Sequence, residues 1–529
     1  LSAILVVAVP PFLAMPLWGD VTLYDVAARE VRNGGIHYRD VFDTNPPGFV
    51  WCLAVLRALT GPSSEVLRAV DFGIVAAECA LLAMLVRRSL CRSLGFFIAV
   101  ALFYPFTSEF NHVQRDVWMM LPALGATLLR VNRSNDRTFL ASAVEGMVWG
   151  TAVWFKPHVI VPAAAVWLAT LRWKAAGWDL LGQLAGGVAV GGAGIAYLVL
   201  GGTWPYFLDV MTNWNPEYAR NLFSELPQRL PWNINYFGPW DLVQIAAIPL
   251  ALFEMIRGDR AGRGLAALYL GWFLQAMVLQ RFFPYVHLPE IILGLAVVAR
   301  RCPVGIPVLL GFSVCGALLQ WPTFQEAVRD NDLVIRHPLS ERRTYALWLR
   351  CLAEGSSPAL RNELGQLNSA HCGTDWESLE QVAAFLRTAD LNDGDLICWH
   401  DGTHPLYLML NLKPGLRYMH LGTAWAFESK REMIAEELKS KNARFVVSDL
   451  RMTTTDMNQA LAPGDRGKWY RLPAWVPDSQ RVVFPWNQAI AFRSGRYIVH
   501  GIQQPLGRIH IASFEELEKE RRYSSRGEE

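Results

Sequence analysis

The chain has 529 residues, of which 52% are hydrophobic and only 18% charged, and its formal net charge is +2. That balance excludes the basic excess that nucleic-acid binding requires. A mean hydropathy of +0.19, with repeated apolar runs of about 15 to 20 residues that match a bilayer's thickness, predicts a polytopic membrane protein.

The first run, residues 1 to 17, begins at Leu1 without a Met or basic leader and is expected to be a retained span rather than a cleaved segment. Asp20 follows directly. Behind it Leu23, Tyr24, Ala27, Ala28 and Val31 recur at helical spacing, with Asp25, Arg29, Glu30 and Arg32 between them and Gly34-Gly35 as a stop. This predicts an amphipathic helix lying on the membrane surface. Asp20 reads in two ways, as the N-cap of that helix or as a general base held at the membrane face. A polar, turn-rich loop comes next, carrying Tyr38, Arg39, Asp40, Asp43 and Asn45 before Pro46-Pro47-Gly48. It is the place where chemistry is expected. Phe49 to Leu59, about a dozen apolar residues, is short for a span and is expected to lie in the outer interface.

Further spans are expected at roughly 66 to 86, 94 to 107, 117 to 130, 139 to 155, 158 to 171, 180 to 200, 239 to 256, 263 to 280, 285 to 299 and 304 to 321, about eleven crossings in all. Basic clusters at Arg87 to Arg92, Arg130 to Arg137, Arg172 to Lys174, Arg257 to Arg263 and Arg300-Arg301 then all fall on the cytoplasmic side. The loops at 18 to 65, 108 to 116, 155 to 158, 201 to 238 and 281 to 285 share the outer side, and the carboxy-terminal region joins them.

Three of these outer loops carry acids and cations. Arg115-Asp116 stands at the head of a span, Lys156-Pro157-His158 in a break between two apolar runs, and Arg281, Tyr285 and His287 close to another span's start. Each set also reads as ordinary snorkelling at an interface. Together they suit displacement of a phosphate from a sugar, where a carboxylate takes the acceptor proton and cations hold the departing phosphate. The long loop from Gly201 to Trp240 is rich in Trp and Tyr, which reads as an interfacial belt or as a substrate-contacting flap with Asn213, Asn215, Glu217 and Tyr218. Asp71 and Glu78 share one face of the second span, where Arg68 is placed to pair with Asp71.

After Trp321-Pro322 the composition turns polar. Residues 1 to 322 therefore read as a membrane domain, 323 to 515 as an outer α/β domain, and 516 to 529 as a charged tail. In the outer domain Trp376 to Leu386 and Lys430 to Ser440 read as helices. Asp395 to Trp399, Arg444 to Ser448, Arg481 to Phe484, Ala489 to Phe492 and Arg496 to His500 read as strands. The eight Cys show no CxxC and no metal-ligand spacing with His, so no metal site or cofactor is expected. Cys351 and Cys372 are candidates for a disulfide.

The segments Asp20-Val21-Thr22-Leu23-Tyr24, Gly34-Gly35-Ile36-His37-Tyr38-Arg39-Asp40 and Asn45-Pro46-Pro47-Gly48 resemble the first outer loop of the GT-C glycosyltransferases, in the family 39 and ArnT-like branch. Phe155-Lys156-Pro157 and the stretch from Gln280 to Pro289 are similar to later motifs of that branch. The resemblance covers about residues 1 to 321. It implies a polyprenyl-phosphate-linked sugar as donor, transfer on the periplasmic or outer face, and inversion at the anomeric carbon. Asp20 matches the family's catalytic aspartate and Asp116 its second-loop acid. ArnT-like members carry Lys where Asn45 stands, so the phosphate cation is expected from Lys156, Arg115 or Arg281. The expected protein is thus a multi-pass glycosyltransferase of the inner or plasma membrane with an extracytoplasmic carboxy-terminal domain. Its partners are membrane lipid, the lipid-linked sugar and an envelope acceptor. The rival readings are a transporter or flippase of a lipid-linked glycan, and a catalytically inactive glycan-binding relative.

Overall fold

A computed structural model of the protein describes residues 1–86, 90–133, 139–171, 176–220, 237, 240–280, 283–302, 304–308, 310–311, 347–365, 374–419, 427–450, 478–504, 506 and 508–509. Arg281, Cys372, most of the expected span 304 to 321 and the tail lie outside the described residues.

The amino-terminal part is a helical bundle: α1 (Ser2–Ala14), α2 (Gly19–Arg32), α3 (Gly48–Thr60), α4 (Ser64–Val86), α5 (Leu90–Phe103), α6 (Arg115–Trp118), α7 (Met120–Asn132), α8 (Phe139–Phe155), α9 (Ile160–Ala169) and α10 (Ala176–Leu200). The helices Val243–Arg257, Arg260–Leu279 and Leu288–Arg301 follow. Every expected span up to residue 299 coincides with a helix. By length and apolar composition, however, only α4, α10 and Arg260–Leu279 among the described residues suffice to cross a membrane, and α1 with α2, bent by 63°, makes a fourth if counted as one span. The expected eleven crossings are therefore not established by helix length. Short helices such as α5, α8 and α9 fall below the roughly 20 residues that a straight crossing needs.

The lipid-facing character of the bundle is plainest in α10. Its most apolar window is only 17% buried, and Leu181, Leu184, Val188 and Leu200 stand exposed. A helix that is apolar on its outward face is stable only where the surroundings are apolar. On its inward face Gly182 lies against Ser142 of α8, Gly146 of α8 lies against the Gln183 backbone, and a Cβ on Gly186 would run into the Ala143 carbonyl. Small residues four apart let the two backbones approach closely.

At one end of the bundle, charges are gathered and buried. Arg130 of α7 donates to Glu145 of α8 at 3.0 Å, to Asp179 of α10 at 2.6 Å and to the Thr170 hydroxyl at 2.8 Å. A second set joins Arg300 to Glu254 at 3.1 Å and to Asp259 at 2.5 Å. Within α4, Asp71 feels the Arg68 charge, as the spacing predicts, and has neutral partners besides. It accepts from Tyr104 and Trp118, each at 2.7 Å, while Arg68 meets His112 at 2.9 Å.

The carboxy-terminal region holds a four-stranded sheet in the order β1-β2-β5-β4, made of β1 (Leu396–Cys398), β2 (Phe445–Asp449), β4 (Ala489–Ser494) and β5 (Tyr497–Gly501). β1 runs parallel to β2, and the other pairs are antiparallel. β3 (Val483–Phe484) pairs separately with β6 (Arg508–Ile509). The parallel pair needs a crossover, which contains the helix Arg431–Lys439. The strands and helices expected in this region are all present. The helix Trp376–Arg387 is capped by Asp375, which accepts from the Ser378 N–H at 3.2 Å.

This region shares a core with the loops of the bundle's opposite end. Phe42 lies 4.4 Å from Trp214 and 5.2 Å from Tyr418, ring to ring, and Trp214 lies 5.1 Å from Phe427. Arg29 of α2 donates to the carbonyls of Tyr407 and Leu412. Glu217 accepts the Ser429 N–H at 2.9 Å. The described aromatic side chains at 214 and 218 thus serve as packing between loop and sheet, which neither a headgroup belt nor a free flap would do.

Candidate active site

The bend between α1 and α2 places the start of α2, with Asp20 and Tyr24 one turn apart, at the end of the bundle covered by the carboxy-terminal region. The N-cap of α2 is Trp18, so Asp20 is not the cap that one sequence reading made it. It sits half-buried in the first turn, where the helix dipole favours an anion. A Cβ on Gly19 would stand 3.7 Å from the Asp401 side chain, so the turn Asp401–Thr403 of the carboxy-terminal region lies directly over this helix start.

Two further loops bring the charges. Val113 takes φ 57 just ahead of α6, and a β-branched residue in the left-handed region costs roughly 1–3 kcal/mol. That strained corner presents Arg115 and Asp116. Lys156, in the break between α8 and α9, reaches across 40 residues of sequence to place its ammonium 2.9 and 3.0 Å from the two oxygens of Asp116. It also donates to Gln280 Oε1. Burial pulls this ammonium down to about 8, with Asp116 opposing the fall and Arg115 adding to it.

Arg115 is 7% exposed. Its guanidinium lies over the Tyr24 ring, 5.6 Å from the centroid, and its Nε is 4.0 Å from Asp116. Nε and Nη1 have no hydrogen-bond partner among the described residues. A buried guanidinium left with open donors is matched in chemistry to a phosphate or carboxylate. Asp20 is close enough to Tyr24, Lys156 and Tyr285 to act electrostatically on each. Acid, cations and phenols from four separate stretches of chain therefore meet in one place. Among the described residues no group of three or more His, Cys, Asp or Glu is arranged to hold a metal ion.

No family model matches the chain, and neither does any curated protein. Solved structures do. ArnT from Cupriavidus metallidurans bound to undecaprenyl phosphate superposes with a TM-score of 0.52 at 16% identity, over 96% of this chain and 98% of that one. The chain has the fold of ArnT. The apo form of the same ArnT gives a TM-score of 0.51 at 17% identity, over 96% and 97% of the two chains. The Archaeoglobus fulgidus oligosaccharyltransferase in complex with zinc and sulfate is more distant, with a TM-score of 0.43 at 13% identity over 86% of this chain and 69% of that one.

Within the ArnT-like frame the expected site residues divide into groups. Asp20, Tyr24, Asp43, Arg115, Asp116, Lys156 and Tyr285 form one electrostatically connected group, in which each acts on or is acted on by Tyr24 or Arg115. His158 lies beside Lys156, and burial with that ammonium's charge drives it down to about 4, so it is neutral. Asn45 and Tyr38 join the group through hydrogen bonds, Asn45 to the Tyr24 oxygen at 3.1 Å and Tyr38 to the Asn45 carbonyl at 2.6 Å. Arg39 and Asp40 do not join it. They pair with each other at 2.7 Å on the outer surface of the loop, where Asp40 also closes the turn by accepting the Ile36 N–H. His287 is fully buried and turned to Glu290, 3.0 Å away on the following helix. Arg281 lies outside the described residues.

Sequence reasoning missed two neighbours. Gln280 closes an apolar run and opens the stretch to Pro289 that resembles a later family motif, but no role for its amide followed from the sequence. His37 is buried and stacked on Tyr38 at 3.9 Å, and its Nε2 is 3.8 Å from Asp43. Desolvation drives it down to about 3. Nothing in its local sequence marks a loop histidine as buried.

Proposed function

We propose that the chain is an integral-membrane, inverting glycosyltransferase that takes its sugar from a polyprenyl-phosphate donor and transfers it to an envelope acceptor on the outer face. The reading rests above all on the open guanidinium of Arg115 beside the Lys156 ammonium, within electrostatic reach of the half-buried carboxylate of Asp20. An ArnT-like fold supports it, since the solved ArnT was bound to undecaprenyl phosphate.

In this reading Asp20 takes the proton of the acceptor hydroxyl as its oxygen attacks the anomeric carbon. The bond from that carbon to the phosphate oxygen breaks on the opposite face, and its electron pair leaves with the phosphate. The polyprenyl phosphate gains a second negative charge, which Arg115 and Lys156 offset where it develops. Asp116 is assigned the holding of Lys156 rather than contact with substrate, because both its oxygens face that ammonium. The carboxy-terminal sheet, packed on the same loops, is assigned to the outer side with them.

The test is turnover by the purified protein in nanodiscs, with a panel of polyprenyl-phosphate sugars and an envelope extract as acceptor. Release of polyprenyl phosphate, detected by mass spectrometry, is expected for at least one donor. No release from any donor, together with no binding of undecaprenyl phosphate, overturns the reading.

The pH profile should carry the mark of Lys156. Its folded value is depressed to about 8, so the ammonium is charged below that pH and neutral above it. Transfer is expected to fall as pH rises through about 8. In Lys156→Arg, which keeps its charge, the alkaline fall should move upward or vanish.

A further inference from the structure

Asp43, Asn45 and Tyr24 form a hydrogen-bond chain with one direction. Asp43 Oδ1 accepts the Asn45 backbone N–H at 3.1 Å and is also met by the Asn45 side chain at 2.6 Å. A backbone N–H only donates, so Oδ1 is an acceptor at this point and the amide atom facing it is the nitrogen. That nitrogen has a second hydrogen, which goes to the Tyr24 oxygen at 3.1 Å. The loop is pinned in this arrangement by Tyr38, which holds the Asn45 carbonyl from a φ of 69, and by Asn215, which donates to the Thr44 carbonyl at 3.1 Å. A phenol oxygen that accepts on one side sends its own proton to another. The Tyr24 ring is the face against which Arg115 lies.

We propose that the Tyr24 hydroxyl donates a hydrogen bond to an oxygen of the leaving phosphate, and that Asn45 is the positioning residue that sets this direction. The inference rests on the glycosyltransferase reading and deepens it. The proton stays on Tyr24, because a phenol titrates near pH 10 and remains protonated at neutral pH. The phosphate carries one negative charge in the donor and two once the sugar has left, so the bond strengthens as the reaction proceeds and accelerates the chemical step. Asn45 thus takes a different part from a cation at the same place: it orients a neutral donor and leaves the charge to Arg115 and Lys156.

The experiment compares Tyr24→Phe, Asn45→Asp and the double variant in nanodiscs, reading affinity for undecaprenyl phosphate and kcat with a polyprenyl-phosphate sugar. Tyr24→Phe removes a single oxygen and should fold normally. It is expected to weaken undecaprenyl phosphate binding by about tenfold or more, as for a lost hydrogen bond to a charged group, and to lower kcat further. Asn45→Asp puts an acceptor where the amide donated, so Tyr24 turns its proton inward and the variant should match Tyr24→Phe. The double variant should then be no worse than the poorer single one, the non-additivity of two residues acting as a unit. Asn45→Ser, which avoids a second carboxylate beside Asp43, should fall between wild type and Tyr24→Phe. Unchanged phosphate affinity in Tyr24→Phe, or losses that add in the double variant, overturn the proposal while leaving the glycosyltransferase reading intact. Wild-type protein that neither binds undecaprenyl phosphate nor turns over sinks both.

Discussion

Asp20→Asn is expected to lower kcat by about 10²- to 10⁴-fold, the usual range for loss of a general base, or roughly 3–5 kcal/mol in the barrier. The amide has nearly the same shape and keeps one acceptor oxygen, but it takes no proton at neutral pH. Affinity for undecaprenyl phosphate should stay within about twofold of wild type, because the phosphate is held by cations from other loops. The melting temperature should fall little, since Asp20 is not the N-cap of its helix and the favourable interaction of its charge with the helix dipole is worth only about 0.3–1 kcal/mol. Single-turnover kinetics separate these outcomes. Full activity in this variant would remove Asp20 from its role, whereas a loss of phosphate binding alone would recast it as a binding group.

The opposite pattern is expected for Asp179→Ala. Asp179 is 1% exposed and takes hydrogen bonds from Arg130 at 2.6 Å and from Ser142 at 2.7 Å. Removing it leaves Arg130 and Arg133 short of counter-charge in a place from which water is excluded. Breaking a buried pair in this way costs about 3–5 kcal/mol. Thermal unfolding in detergent should therefore come markedly earlier. Activity per folded molecule should remain near wild type, because Glu145 of the same ionic cluster is separated from Lys156 by 11 helical residues, about 16 Å along α8. An unchanged melting temperature would show that Glu145 alone can neutralise both arginines.

The contrast between these two residues shows what the sequence made legible. The start of α2 was readable because apolar residues at helical spacing begin right after Asp20. That Arg115, Lys156 and the first loop share one end of the bundle was expected from the basic clusters in the intervening loops, and the structure brings them together. The Lys156–Asp116 pair was not readable, since only the tertiary placement of α6 beside the break after α8 decides which of several cations an acid meets. The pairing of His287 was hidden for a related reason. Its partner Glu290 lies one helical turn away, and a local pair of that kind leaves no outward sign in a motif. Arg39 and Asp40 satisfy each other within the turn, which spacing alone did not reveal. In the carboxy-terminal region the strands were legible from their apolar runs. Their order was not, because long-range pairing depends on registers that no short segment encodes.

Because the Phe42 and Trp214 rings are packed against Tyr418 and Phe427, the polar end of the chain is no detachable module. Expressing the bundle by itself would uncover a greasy aromatic surface and untie Arg29 from its two carbonyl partners. Any chimera that borrows this end from another protein would have to import both matching loops as well, or the candidate site would lose its ceiling.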